Sequence, residues 1–209
     1  MKFQEFSAKF RDLPLLPTKL ALAGSGTAGL NQLERWRKLG LVVRLRRGLY
    51  IFGEGERKIE PSRGYLAGQI YQPSYVSLEY ALSRYGLIPE RVADITSVTT
   101  KKTASFVNEF GTFVYQSVKP AAFRGFTALK DEAGLSYFMA EPEKAVADFV
   151  YLNLDKIKSG AAARTLLDSF RFQNLRTLRK VRLAAYFALF GVKKMREAAL
   201  ALAALAEER

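Results

Sequence analysis

At 209 residues, 49% of them hydrophobic and 25% charged, the chain is long enough to bury a substantial core and is not disordered in composition. It contains neither cysteine nor histidine, which excludes disulfides, thiolate or imidazole metal sites and the commonest general base, and leaves only an all-oxygen magnesium site open. The formal net charge of +13 makes a polyanion the natural partner, and no cofactor or metal is expected.

That charge is unevenly spread. Residues 1–60 carry 12 Lys/Arg against 6 Asp/Glu, residues 61–155 carry 9 against 10, and residues 156–209 carry 12 against 4. A basic head and a basic tail flank a neutral middle. The first eleven residues are charged and lack the uninterrupted apolar run of a signal peptide. The longest apolar stretches, 183–192 and 198–206, are about half of what a membrane span needs. A soluble, cytoplasmic protein with no membrane partner is the expectation.

In chain order, residues 3–10 read as a short helix, and Pro17 starts a second that runs through Leu22 and stops at Gly24. Residues 24–27 form a tight turn in which Ser25 or Thr27 can cap the next helix, expected over 28–39 and ended by Gly40. Strands over 41–45 and 49–52, joined by Arg46, Arg47 and Gly48, make a hairpin. Three helices and a hairpin in about fifty residues follow the order of a winged helix-turn-helix. The expected division is a DNA-binding domain over 1–53, a polar linker over 54–61 and a larger lobe over 62–209.

Within that lobe, helices are expected over 62–71 and from Ser77, with Leu78, Leu82 and Tyr85 inward, to Gly86. Strands are expected over 95–100 and 112–118, with shorter ones near 125–128 and 135–139. From Pro142 the pattern turns helical, with Ala145, Phe149 and Leu152 on one face. Ser159 caps a stretch that carries Ala162, Leu166, Leu167 and Phe170. Two further helices follow over 174–190 and 192–208. The fold class is α+β: an amino-terminal winged helix-turn-helix plus a mixed lobe, helix and sheet over 62–140 and helical over 141–209.

On the 28–39 helix, an advance of 100° per residue turns Leu30, Leu33, Trp36 and Leu39 inward and gathers Ala28, Asn31, Arg35 and Lys38 on the opposite side. Those are groups that read base edges in a major groove: arginine on guanine, asparagine on adenine, an alanine methyl on thymine. Ser25 and Thr27 sit where free amides hold a phosphate. Arg44, Arg46 and Arg47 at the hairpin tip suit a phosphate backbone or a minor groove. A second basic patch is expected from Arg171, Arg176, Arg179, Lys180 and Arg182, facing DNA phosphates, an acidic or nucleic-acid partner, or only solvent.

A nuclease built on Asp131, Glu141, Glu143 and Lys144 is the enzymatic reading. Glu141-Pro142-Glu143 is more simply a helix start, so no catalytic residue is assigned. A generic winged-helix transcription factor with a ligand-sensing carboxy lobe also fits the pattern. So does a non-enzymatic adaptor whose Asn31/Arg35 face contacts protein.

The run 36–52, WRKLGLVVRLRRGLYIF, resembles the start of the AbiEi antitoxin family of type IV toxin–antitoxin systems, which act in bacterial phage defence. Residues 75–82 (YVSLEYAL), 96–100 and 138–148 (FMAEPEKAVAD) are similar to that family as well, whereas the glycine-rich segment 24–29 departs from it. The resemblance implies a two-lobed repressor that binds inverted repeats in double-stranded DNA upstream of its own gene. It also implies an antitoxin that counteracts a nucleotidyltransferase-like toxin without requiring a direct complex. DNA contacts would come from the exposed side of the 28–38 helix and from Arg44, Arg46 and Arg47, with the antitoxic surface in 61–209.

Overall fold

The computed structural model describes residues 2–22, 26–157 and 161–208. The caps expected at Ser25 and Ser159, and the helix stop at Gly24, lie outside the described residues, as does the side chain of Thr27. Phe3, Phe6 and Phe10 recur at helical spacing and fold as α1 (Phe3–Phe10), whose Phe6 is fully buried. β1 (Leu16–Pro17), α2 (Thr18–Ala21) and α3 (Gly26–Lys38) follow. The expected hairpin then forms from β2 (Val42–Arg46) and β3 (Leu49–Phe52), with Gly48 at φ +83° in its turn, where a side chain would be strained.

β1 was not legible in the sequence. Leu16 and Pro17 pair antiparallel with Tyr50 and Leu49, giving a three-stranded sheet in the order β1-β3-β2. Pro17, which has no N–H to donate, is tolerated there because β1 is an edge.

This small sheet is a layer shared between two cores. Leu16, Val42, Tyr50 and Phe52 pack with Phe6, Phe10, Leu33 and Trp36. Leu15, Val43, Leu45, Leu49 and Ile51 face the other way and join the large core of the rest of the chain. The two-residue period of a strand sends alternate side chains to opposite faces, and here both faces are covered. Apolar packing therefore crosses the boundary expected at 54–61. Polar contacts add to it: Lys58 pairs with Asp12 at 2.6 Å, and the Asn108 amide donates to the Leu45 carbonyl at 3.1 Å.

The larger part opens with α4 (Arg63–Ile70), whose Tyr65 N–H donates to the Ser62 hydroxyl at 3.1 Å, a working N-cap. Then come β4 (Ser74–Val76), α5 (Leu78–Arg84), β5 (Ile95–Thr99), β6 (Ala104–Asn108), β7 (Gly111–Ser117), β8 (Phe126–Lys130) and β9 (Ser136–Ala140). They build a six-stranded sheet in the order β6-β7-β5-β4-β9-β8, in which β5/β7 and β4/β9 are parallel and the other pairs antiparallel. β4 and β6 are additions to the strands expected from the sequence. Ser77 stands at the cap position of α5, but its hydroxyl donates to Asp148 instead of accepting from the helix.

α6 (Pro142–Leu152) starts at its proline as expected. α7 (Ala162–Arg164) runs into a π turn over 165–169, and α8 (Lys180–Ala188) and α9 (Lys193–Glu208) close the chain. The continuous helix expected over 174–190 does not form. Asn174 is left-handed at φ 55° with its amide on the Gly86 carbonyl at 2.8 Å, residues 175–177 make one 3-10 turn, and Leu178 and Arg179 are extended. Leu175 and Leu178 are buried by this path, so tertiary packing overrides the helical pattern. The architecture is α+β, with helices and strands at the amino end and helices at the carboxy end. Among the described residues, no helix is long and apolar enough to cross a membrane.

Candidate nucleic-acid interface

α3 is held by Leu33 and Trp36, both buried against α1 and the hairpin. The Trp36 ring lies 4.7 Å from that of Phe6. The inward face is narrower than expected, because Leu30 and Leu39 are 49% and 63% exposed. A thirteen-residue helix resting on a two-sided sheet covers only part of its circumference. Ala28, Asn31, Arg35 and Lys38 are all exposed, and their spacing sets them along one side of the helix. Gly40, at φ +71°, ends the turn that follows.

Of the hairpin arginines, Arg44 and Arg47 are exposed and Arg46 is half-buried. Arg46 donates from Nη1 to the Arg47 carbonyl at 2.9 Å, and its Nε is buried without a partner. The sequence does not single out Arg37, yet it joins these three. Together they form one wall of a 650 Å³ cleft whose other side is β6 and the turn after it, with Ser105, Asn108 and Glu109. Asn108 spans the two sides with a 3.1 Å bond from its amide to the Leu45 carbonyl.

Arg37 forms a forked pair with Glu34, at 3.0 Å from Nε and 2.5 Å from Nη2. That hydrogen bond, with help from the nearby Arg37, Arg44 and Lys38 charges, holds the Glu34 carboxyl below its ordinary value. The Glu34/Arg37 spacing of three on one helix was the available signal for the pair. α3, β2 and the hairpin turn thus present cations from adjacent elements, with Glu34 paired to Arg37 and Glu109 across the cleft.

The carboxy-terminal cations are spread over a loop, a 3-10 turn and α8 and do not sit on one helix. Arg171 pairs with Glu90 at 2.7 Å and Arg182 with Glu141 at 2.6 Å, while Lys180 is bound to Glu207. Arg176 lies in the 3-10 turn and Arg179 at the start of α8, both exposed. Three of the five are therefore neutralised locally by carboxylates.

The residues considered for a nuclease each have their own partner. Asp131 accepts from the Ser62 N–H at 2.9 Å and the Leu135 N–H at 2.8 Å, and Glu143 accepts from the Arg179 N–H at 2.8 Å. Glu141 takes Arg182 and the Tyr186 hydroxyl, the latter at 2.7 Å. Burial and that carboxylate push the Tyr186 phenol up to about 12.

Lys144 has no exposure at all, and neither has Asp148, one helical turn later. The ammonium donates to Asp148 and, at 2.9 Å, to the Tyr75 hydroxyl. Asp148 also accepts from Tyr75 and Ser77, each at 2.9 Å. Burial pushes the Lys144 ammonium below its usual value and the Asp148 carboxyl above its own, and each partner's charge opposes the other's shift. Sequence reasoning missed this cluster, although the spacing of four between Lys144 and Asp148 was visible. Among the described residues, no group of three or more metal-ligating side chains gathers. No family model matches the chain, and no curated protein sequence matches it either.

Proposed function

We propose that the protein is a sequence-specific DNA-binding repressor of its own operon, with its amino-terminal helices and hairpin acting as a winged helix-turn-helix. The supporting observation is the exposed row Ala28, Asn31, Arg35 and Lys38 on α3, together with exposed Arg44 and Arg47 on the hairpin that follows it in the chain. In this reading α3 enters the major groove, where the row reads base edges, and Arg44 and Arg47 meet phosphates. Arg46 contributes from a half-buried position at the rim of the cleft. The net charge of +13 supplies the sequence-independent attraction that such a reader needs.

The resemblance of residues 36–52, 75–82 and 138–148 to the AbiEi family adds the second half of the proposal. The chain is the antitoxin of a type IV system and counteracts a nucleotidyltransferase-like toxin without a required complex. Hydroxyl-radical footprinting of the chain's own upstream region tests the first half. One protected tract spanning an inverted repeat is expected, and uniform protection along the fragment argues against it. Co-expression with the neighbouring gene product tests the second, and restored growth is the expected result.

A further inference from the structure

Helix α4 carries Gly64 and Gly68 four residues apart, so both notches open on one side of the helix. The first is filled from within the fold. A Cβ at Gly64 would stand 2.7 Å from the Tyr137 ring, which therefore lies directly against the helix backbone. The second is filled by nothing: a Cβ at Gly68 would meet no atom within 4 Å. Glycine in a helix interior is less favourable than alanine, and no packing contact requires it at 68.

The open notch belongs to a cavity of about 330 Å³, within the range of sites that hold small organic molecules. Phe123, Phe126, Tyr137 and Phe138 supply its aromatic walls. Phe126 stacks on the buried Tyr75 with ring centroids 4.6 Å apart, which fixes that wall to the Lys144–Asp148 cluster. Ser74 also lines the cavity. It is only 9% exposed, and its hydroxyl is buried with no hydrogen-bond partner. Such an orphan is costly unless a ligand or water completes it. At the rim, the Gln72 amide donates to the Gln69 carbonyl oxygen at 3.2 Å, which leaves one amide oxygen and one amide nitrogen to face a guest. Among the described residues lining the cavity, none is charged.

We infer that this cavity binds a free, neutral, planar heteroaromatic molecule of one or two rings that offers both a hydrogen-bond donor and an acceptor. A flat ring is what the fold itself places in the equivalent notch one turn earlier. The edge groups meet Ser74 and the glutamine pair, and neutrality follows because a charge buried here would find no counter-ion. The inference is independent of the DNA-binding proposal.

The test is calorimetric titration of the full chain with hypoxanthine, and with benzoate as the charged control, on wild type, Gly68→Leu and Ser74→Ala. Hypoxanthine is expected to saturate wild type with a Kd below about 1 mM. Benzoate is expected to bind at least about 10-fold more weakly, the ratio that marks a charge as excluded. Gly68→Leu is expected to abolish binding while melting at or above the wild-type temperature, since its side chain enters open space and favours the helix. Ser74→Ala is expected to weaken binding several-fold with stability unchanged or raised, which separates recognition from folding. The inference is overturned by an absence of saturable hypoxanthine binding, by equal binding of benzoate, or by undiminished binding in Gly68→Leu. A Gly68→Leu protein less stable than wild type contradicts the open notch.

Discussion

The Asn108 amide on β6 reaches the Leu45 carbonyl on β2 at 3.1 Å, so the hairpin is bonded to the edge of the large sheet as well as packed on it. With Val43, Leu45, Leu49 and Ile51 in the large core and Val42, Tyr50 and Phe52 in the small one, the hairpin couples the two. Trp36, the sole tryptophan, reports the small core. Its fluorescence and the far-UV circular dichroism are therefore expected to give coincident urea midpoints. Ile51→Ala is expected to lower both midpoints together, for a loss of about 2–4 kcal/mol of stability. Separate midpoints would show two independently folding units.

The Lys144–Asp148 pair is the second stability test. Lys144→Met leaves a buried carboxyl without its cation and is expected to cost about 3–5 kcal/mol in urea unfolding. Adding Asp148→Asn is expected to recover much of that loss, because a neutral amide oxygen still accepts from Tyr75 and Ser77 without a counter-charge. An additive double variant would mean that the pair is not coupled.

Asp131 gives a pH signature. Burial alone would raise its carboxyl, but donations from the Ser62 and Leu135 N–H groups outweigh that and hold it below the ordinary 3.8. A lowered folded value contributes stability above the unfolded value, and that stability is lost as pH falls through the folded one. Asp131→Ala is expected to cost about 1 kcal/mol at neutral pH. The gap to wild type should close as the medium is acidified below 3.8, measured by urea unfolding across pH.

The arginines are expected to separate by role. Arg35→Ala should lose about 1–3 kcal/mol of discrimination between operator and shuffled duplex. Arg44→Ala and Arg47→Ala should weaken both duplexes alike and reduce the salt slope by about one unit each. Mobility shifts on the three variants check this, and a loss of discrimination confined to Arg47→Ala would reverse the assignment.

Much of the scaffold was legible. The Phe3/Phe6/Phe10 spacing, the Arg46-Arg47-Gly48 turn and the Pro142 start each carry a strong local signal, and the structure has the corresponding elements. β4 was hidden because three residues after Pro73 are too few to show a period, and β6 because Val107, 78% exposed, puts an apolar residue on the outward side and spoils the alternation. The break at 174–179 is made by the Asn174–Gly86 bond and the burial of Leu175 and Leu178, both of which depend on distant chain. In the candidate site, the exposure of Ala28, Asn31, Arg35 and Lys38 followed from helical phase. The exposure of Leu30 and Leu39 did not, because hydrophobicity marks what can be buried and not how far the neighbouring surface extends. Arg37 and the cleft wall from β6 needed the tertiary fold.

The decisive measurement of sequence-specific DNA binding is equilibrium binding of the wild-type protein to its own upstream region and to a shuffled duplex, by fluorescence anisotropy over a salt series. Tighter binding to the upstream region is expected at every salt concentration, by about 10³-fold or more, with both affinities falling steeply as salt rises. Equal affinity for the two duplexes throughout the series would contradict it and leave the charge of +13 as a non-specific property.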